Sequence, residues 1–357
     1  MNRRHFLVGT GAGAAAIAGL AATTLGQTPV PAAPAQAGRV GGGGGRGGTP
    51  ANVAAAKLAR VSIMTLCFGS ILKFPWTANP GPTNTLDILD LPQMYRDVYG
   101  VSNVEFQHGH LVNNPQGGQA DPNPAFFREM KAKLDAARVT ASQINIEIGV
   151  IPNLQGEARA TWMALGKKWV DAAPILGCKR LMLNQTGLNQ ENKANCISVW
   201  KELQDYAKPT GIMISAENRG GGGGGGGRGR GAAADPAAPA PPPPPPPTPE
   251  QQAATVRNNW MLLKEVIEAA GAFSNVDIGN VGAQNQQQLN DCIRGLHPTS
   301  SGNMHIKSNP AWDIGAAVRF AEDLGYRGLY SIETPPNHAA VRQAYAIILA
   351  NVKNQPA

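Results

Sequence analysis

Eight short apolar runs, most of them followed by a helical pattern, restrict this chain more than any other feature of its sequence. The runs cover 61–67, 103–106, 139–146, 180–183, 211–216, 275–278, 304–306 and 329–332, with the length and branched side chains of buried strands. Between them, apolar residues recur at helical spacing over 124–137, 157–173, 192–207, 251–270, 286–296, 313–324 and 339–352. Gly271 and Gly325 stand where a helix would close before the next strand. Alternation of this kind puts parallel strands in one sheet with helices outside it. Eight such units in roughly 300 residues match a (β/α)8 TIM barrel. A doubly wound open sheet is the competitor, but no Gly-x-Gly-x-x-Gly turn follows the first strand, and the glycines from Gly9 to Gly19 belong to the N-terminal segment.

Glycine and proline, 43 and 29 of the 357 residues, would argue for disorder if they were evenly spread. They are concentrated. The N-terminus reads Asn2-Arg3-Arg4-His5-Phe6-Leu7 and continues apolar and free of acids to about Gly26, which resembles a twin-arginine export signal. Ala35-Gln36-Ala37 is a small-x-small cleavage site, so the expected organisation is a signal over 1–37, a Gly-rich linker over 38–57 and a barrel over 58–357. The twin-arginine export machinery is then a partner and the address is periplasmic or secreted. No later apolar run is long enough for a stable membrane span in the mature protein. A second tract, 219–249, passes from eight glycines to seven consecutive prolines. No core can be built from it, and it reads as a disordered insertion after strand five.

The net charge of +7 owes much to Arg3, Arg4, Arg39, Arg46, Arg219, Arg228 and Arg230, which lie in these segments. The remainder is near balance, so no nucleic-acid partner is expected. Cys67, Cys178, Cys196 and Cys292 show no Cys-x-x-Cys spacing, which disfavours a structural zinc site built on them and specifies no disulfide.

Strands five to eight each end in a polar residue that an apolar strand does not need: Glu217 in Ser-Ala-Glu-Asn-Arg, Asp277 in Asn-Val-Asp-Ile-Gly-Asn, His305 in Met-His-Ile-Lys, and Glu333 in Ser-Ile-Glu-Thr. The last three step by 28 positions, and the first step is 29 once 219–249 is set aside, so one βα unit separates each from the next. Taken singly, each is as well read as a helix cap, a salt-bridge partner or a hydrogen-bonded core histidine. Together, in a barrel, they converge on one mouth, where three unpaired carboxylates would repel. One divalent cation resolves that. The oxygen-rich set suits Mn²⁺, Mg²⁺ or Co²⁺ best, and Zn²⁺ is also compatible.

The order Glu, Asp, His, Glu on strands five to eight, with Glu-Asn, Asp-x-Gly-Asn and His-x-Lys around it, resembles the xylose isomerase-like barrels. These include sugar phosphate isomerases/epimerases, ketose 3-epimerases and hydroxypyruvate isomerase. The resemblance covers residues 58–352 without the insertion. It implies that Glu217, Asp277, His305 and Glu333 hold the metal, which chelates a carbonyl and an adjacent hydroxyl of a small carbohydrate. Glu217 and Glu333 then act as the catalytic pair from opposite faces, moving a proton through a metal-stabilised enediolate. It also makes Glu105, His108 and His110, in Val-Glu-Phe-Gln-His-Gly-His, candidate substrate contacts together with Asn280 and Lys307, while Asn184 and Trp312 are candidate pocket linings. Two departures matter: Asn280 stands where the 3-epimerases have a substrate-contacting His, and Ser308 follows Lys307 where many relatives carry Asp. The second argues against a second metal, and so for proton transfer over hydride shift.

The leading expectation is a metal-dependent sugar or keto-sugar isomerase/epimerase. The alternative is a metal-dependent lyase that eliminates a β-substituent from a 3-keto-glycoside, and a non-catalytic sugar-binding barrel is the reading from another class. Repair of abasic DNA is disfavoured, because its relatives have His-rich three-zinc sites and this chain has only 6 His. A homo-oligomer is compatible with the sequence, which does not specify one.

Overall fold

All eight expected strands form, and each pairs in parallel with the next until the last closes on the first. They are β1 (Val61–Met64), β2 (Asn103–Gln107), β3 (Thr140–Ile146), β4 (Arg180–Leu183), β5 (Met213–Glu217), β6 (Phe273–Asp277), β7 (Ser300–Ile306) and β8 (Leu329–Ile332). The structure is a computed structural model and describes residues 54–76, 80–112, 121–149, 151–219 and 247–353. The export signal, linker residues 38–53 and insertion residues 220–246 lie outside the described residues.

Helices follow the strands: α1 (Leu91–Met94), α2 (Pro124–Ala137), α3 (Gly156–Ala172), α4 (Lys193–Ala207), α5 (Pro249–Ala270), α6 (Gln286–Leu296), α7 (Ile314–Asp323) and α8 (His338–Asn351). Side chains cap several helix starts: Asn123 on α2, Asn285 on α6, Asp313 on α7 and Asn337 on α8 each accept from backbone N–H groups of the first turn. Asp313 and the three asparagines are thereby committed to structure. Gly271 and Gly325 adopt the expected left-handed conformation, with φ of 64° and 89°. Between strands and helices, Phe106, Phe127, Trp169 and Trp200 are fully buried, each aromatic contributing roughly 1.5–3 kcal/mol or more by leaving water.

Within the stretch expected as linker, a helical turn at Ala55–Leu58 packs on the barrel, since Lys57 Nζ donates to Leu349 O on α8 at 3.0 Å. Within the expected 219–249 tract, Pro249 already belongs to α5, which Thr248 and Gln251 start with a capping box. Deletion of 220–246, which spares that cap, is expected to move the melting temperature by no more than about a degree or two, because loop-closure cost varies slowly with length. Thermal unfolding of the deletion checks this, and a deletion running through Thr248 is expected to cost more.

Between β1 and α1 the chain departs from the simple repeat. Thr65–Phe68 wind into a 3₁₀ turn, and Leu72–Lys73 pairs in parallel with Leu86–Asp87 as a small two-stranded sheet. Among the described residues no helix is long and apolar enough to cross a membrane.

The four cysteines are buried and unpaired. Burial pushes the thiols of Cys67 and Cys196 up to about 11 and that of Cys178 to about 12. Because the thiolate is the reactive form, native protein at neutral pH is expected to resist iodoacetamide. Full alkylation is expected only in denaturant, with mass spectrometry as the readout.

Candidate functional site

Side chains two positions apart on a strand share a face, so the polar ends of β5, β6 and β7 carry Glu217, Asp277 and His305 inward, and the residue just past β8 brings Glu333 beside them. These four offer one ligand atom each within 4.8 Å of one another. Glu217, Asp277 and His305 are buried, and Glu333 keeps 13% of its side chain exposed. The sequence-derived set is thus brought together whole.

The contacts inside the cluster are unequal. His305 Nδ1 lies 2.9 Å from Glu217 Oε1, 2.9 Å from Glu333 Oε2 and 3.8 Å from Asp277 Oδ2. Asp277 Oδ1 accepts from the backbone N–H of Gly279 at 2.7 Å and of Asn280 at 3.1 Å. That leaves Oδ2 to face Lys307 Nζ at 2.7 Å, and the same ammonium reaches Glu333 Oε1 at 2.9 Å. Gly279 is required here, because a Cβ would lie 2.5 Å from Lys307 Cβ and displace the stem that carries this ammonium. Arg219 Nε sits 2.9 Å from Glu217 Oε2. Asn218 braces the strand ends, donating to Asp277 O and accepting from Asp277 N.

These charges set the protonation. Burial first, then the Asp277 charge, push the Glu217 carboxyl up. Burial also opposes ionisation of Asp277, but hydrogen bonding from His305 and the charge of Lys307 hold it below the usual range. Burial would push His305 down, yet the charge of Glu105 and the surrounding carboxylates outweigh it and keep the imidazole protonated. Glu217 Oε2, Asp277 Oδ2 and Glu333 Oε2 are buried, each beside a cationic nitrogen but without a well-aligned hydrogen-bond donor, so another positive charge can compete for them. Three carboxylates, with an imidazole that must shed a proton to ligate, are a donor set that fits a hard divalent cation.

The other candidates are distributed around the cluster. Lys307 and Asn280 are in it: Lys307 Nζ donates to Asn280 Oδ1 at 3.4 Å. His108 accepts from the backbone N–H of Glu147 at 3.1 Å and meets Trp169 edge-on. His110 Nδ1 is 2.9 Å from Thr65 Oγ1, with its ring beside Phe74. Asn184 is committed to its own loop through Thr186 N–H and Oγ, and Trp312 is buried. Glu105 is fully buried, 2.7 Å from His305 Nε2, on the side of the ring away from the other carboxylates.

The sequence reading missed an inner polar layer: Gln143, Ser215, Asn275, Asn303 and Ser331, all buried inside the barrel. Its signal was available. Ser215, Asn275, Asn303 and Ser331 each stand two positions before a cluster residue, the spacing that puts two residues on one face of a strand.

Fold and mouth define a parallel (β/α)8 barrel whose strand ends gather three carboxylates and a histidine. Solved structures similar to it include a sugar phosphate isomerase/epimerase from Parabacteroides distasonis, 13% identical with a TM-score of 0.56 over 84% of this chain and 98% of that one. A xylose isomerase domain protein from Planctomyces limnophilus is 15% identical, with a TM-score of 0.51 over 82% of this chain and 96% of that one. A D-tagatose 3-epimerase-like protein is 13% identical, with a TM-score of 0.50 over 82% and 96%. At such identities the likeness establishes the fold. No protein-family model matches the chain, and no curated protein does.

Proposed function

We propose that the protein is a metal-dependent isomerase or epimerase that moves a proton α to the carbonyl of a sugar or keto-sugar. The observation that carries this is the convergence of Glu217, Asp277, His305 and Glu333 within 4.8 Å, three of them holding buried carboxylate oxygens without an aligned donor. A bound divalent cation would supply positive charge beside the carbonyl oxygen as the α-proton leaves.

The chain's own residues divide the remaining work. Asp277 is a ligand and not a base, because two backbone N–H groups occupy one of its oxygens. Glu217 and Glu333 enter from β5 and from the end of β8; Glu217 lies against Arg219 and His305, and Glu333 against Lys307 and His305, so each must exchange one of these partners to take or return a proton. One glutamate on each face of the substrate is the arrangement epimerisation needs: one removes the proton and the other delivers it from the opposite side. Lys307, held between Asp277 and Glu333, is placed to orient a substrate oxygen.

The test is elemental analysis of purified protein combined with a screen of keto-sugars in deuterium oxide. About one divalent ion per chain and deuterium at the α-carbon are expected. Absence of a stoichiometric ion would assign the sugar-binding reading instead. A product with the ultraviolet absorbance of a conjugated carbonyl would assign elimination. Export by the twin-arginine machinery is part of the same proposal, and a cell fractionation in which replacing Arg3 and Arg4 by Lys fails to retain the protein inside would refute it.

A further inference from the structure

Glu105 does not stand at the mouth. It lies inside the barrel on β2 with no exposed surface, and His305 separates it from the cluster: Nδ1 of the ring faces Glu217 and Glu333, and Nε2 faces Glu105 Oε1 at 2.7 Å.

Two amides settle that Nε2 carries a proton, whatever the state of Nδ1. Gln143 Nε2 donates to Glu105 Oε1 at 2.9 Å and to Asn275 Oδ1 at 3.3 Å. Asn303 Nδ2 donates to Glu105 Oε2 at 3.0 Å and to the same Asn275 oxygen at 3.1 Å. All four side chains are fully buried. An amide NH₂ held between two oxygens cannot be turned over without setting acceptor against acceptor. Glu105 is therefore surrounded by donors and acts only as an acceptor. Gln143 Nε2 also lies 3.5 Å from His305 Nε2, but both of its hydrogens are taken by Glu105 and Asn275, so His305 Nε2 must donate to Glu105 as well.

We infer that Glu105 is a positioning residue: through its contact with Nε2 it keeps a proton on that nitrogen, so the proton His305 sheds for a cation held with Glu217, Asp277 and Glu333 is the one on Nδ1. The inference rests on the cation site proposed above. It explains why the barrel keeps a fourth carboxylate under three others, since a neutral acceptor would have to present a donor to one of its neighbours. It also gives the inner amide layer a purpose, because Asn275 orients Gln143 and Asn303, and they in turn hold Glu105.

The experiment is Mn²⁺ titration of metal-free wild type and Glu105→Gln, followed by ring-¹⁵N NMR of the Mg²⁺-loaded proteins. In the variant the new NH₂ must point at His305 or at Asn303, and either sets donor against donor. Mn²⁺ affinity is expected to fall about 10- to 100-fold, with loss of the proton signal on His305 Nε2 in the loaded form. If either change is absent in a folded variant, the assignment is overturned. Should E105Q not fold, Asn303→Ala carries the test, since it removes a donor from Glu105 without touching His305; a several-fold loss of Mn²⁺ affinity is expected, and an unchanged affinity overturns the role. Wild type that binds no Mn²⁺ would sink the proposed function together with this role, whereas tight wild-type binding with an equally tight E105Q sinks this role alone.

Discussion

Glu217→Gln is expected to lower turnover by at least about 10²-fold and up to about 10⁴-fold, the range that positioned acid–base groups contribute, while leaving the fold intact. Two effects converge on that residue. Its carboxylate is one of the four ligand-bearing groups of the cluster, and its Oε2 is among the buried oxygens with no aligned donor. Gln keeps the shape and removes the charge. Stability moves the other way. In the metal-free protein, burial and Asp277 hold the Glu217 carboxyl up at about 7. Folding then disfavours its ionisation, so stability from this group is lost as pH rises from the ordinary carboxyl range through about 7. His305 acts in the same direction: its raised pKa contributes stability below the ordinary imidazole value that is lost as pH rises beyond it. Metal-free wild type is expected to melt at a lower temperature at pH 8 than at pH 5.5, with a flatter profile in E217Q. Cation affinity runs opposite to wild-type stability, tightening as pH rises because a ligand must shed its proton to bind. Calorimetric melts and Mn²⁺ titrations across that range separate the two trends, and equal profiles in both proteins would contradict this account of Glu217.

The architecture was legible because each βα unit announces itself locally. Apolar runs mark the strands, and the 28-residue step of Asp277, His305 and Glu333 records one trip out along a helix and back along a strand. What escaped was set by non-local contacts. Glu105 lies in the same kind of apolar run as the cluster residues, and a strand pattern cannot say whether its carboxylate faces the mouth or the interior; the pairing with His305, 200 positions away, decides it. Asn275 and Asn303 were hidden for a related reason. A polar residue inside a short strand reads as a weak strand until five or more strands are seen to share one polar interior. The excursion from Leu72 to Asp87 carries no repeat signal, and its strands are two residues long. At the opposite limit, the start of α5 was readable in Thr248 and Gln251 and was missed because the prolines before them suggested disorder up to Pro249.

Glu322→Ala is expected to destabilise the fold by about 3–5 kcal/mol, with little effect on cation affinity. Arg60 opens β1 at the barrel end opposite the cluster, and its guanidinium is fully buried, 2.8 Å from Glu322 Oε1 on α7. Its Nε donates to Gly328 O at 2.7 Å and the Nη2 that meets Glu322 also reaches Tyr326 O at 3.2 Å, while Nη1 is buried without a partner. Tyr330 OH donates to the same Glu322 oxygen at 2.8 Å, and the backbone N–H of Lys353 reaches the other at 3.2 Å. The pair therefore ties β1, β8, α7 and the end of α8 together. Removing Glu322 takes one acceptor each from a buried guanidinium, a phenol and an amide, and the cost arises from those under-satisfied donors more than from the attraction lost. If that is the source, taking both charges away should cost less than taking one. The double variant Arg60→Met with Glu322→Leu is expected to unfold at a higher temperature than Glu322→Ala, in a melting series that includes each single change. Since this bundle and the cluster sit at opposite ends of the strands, Mn²⁺ affinity should be unchanged in every member that remains folded. A parallel loss of affinity and stability would show that the two ends of the barrel are coupled.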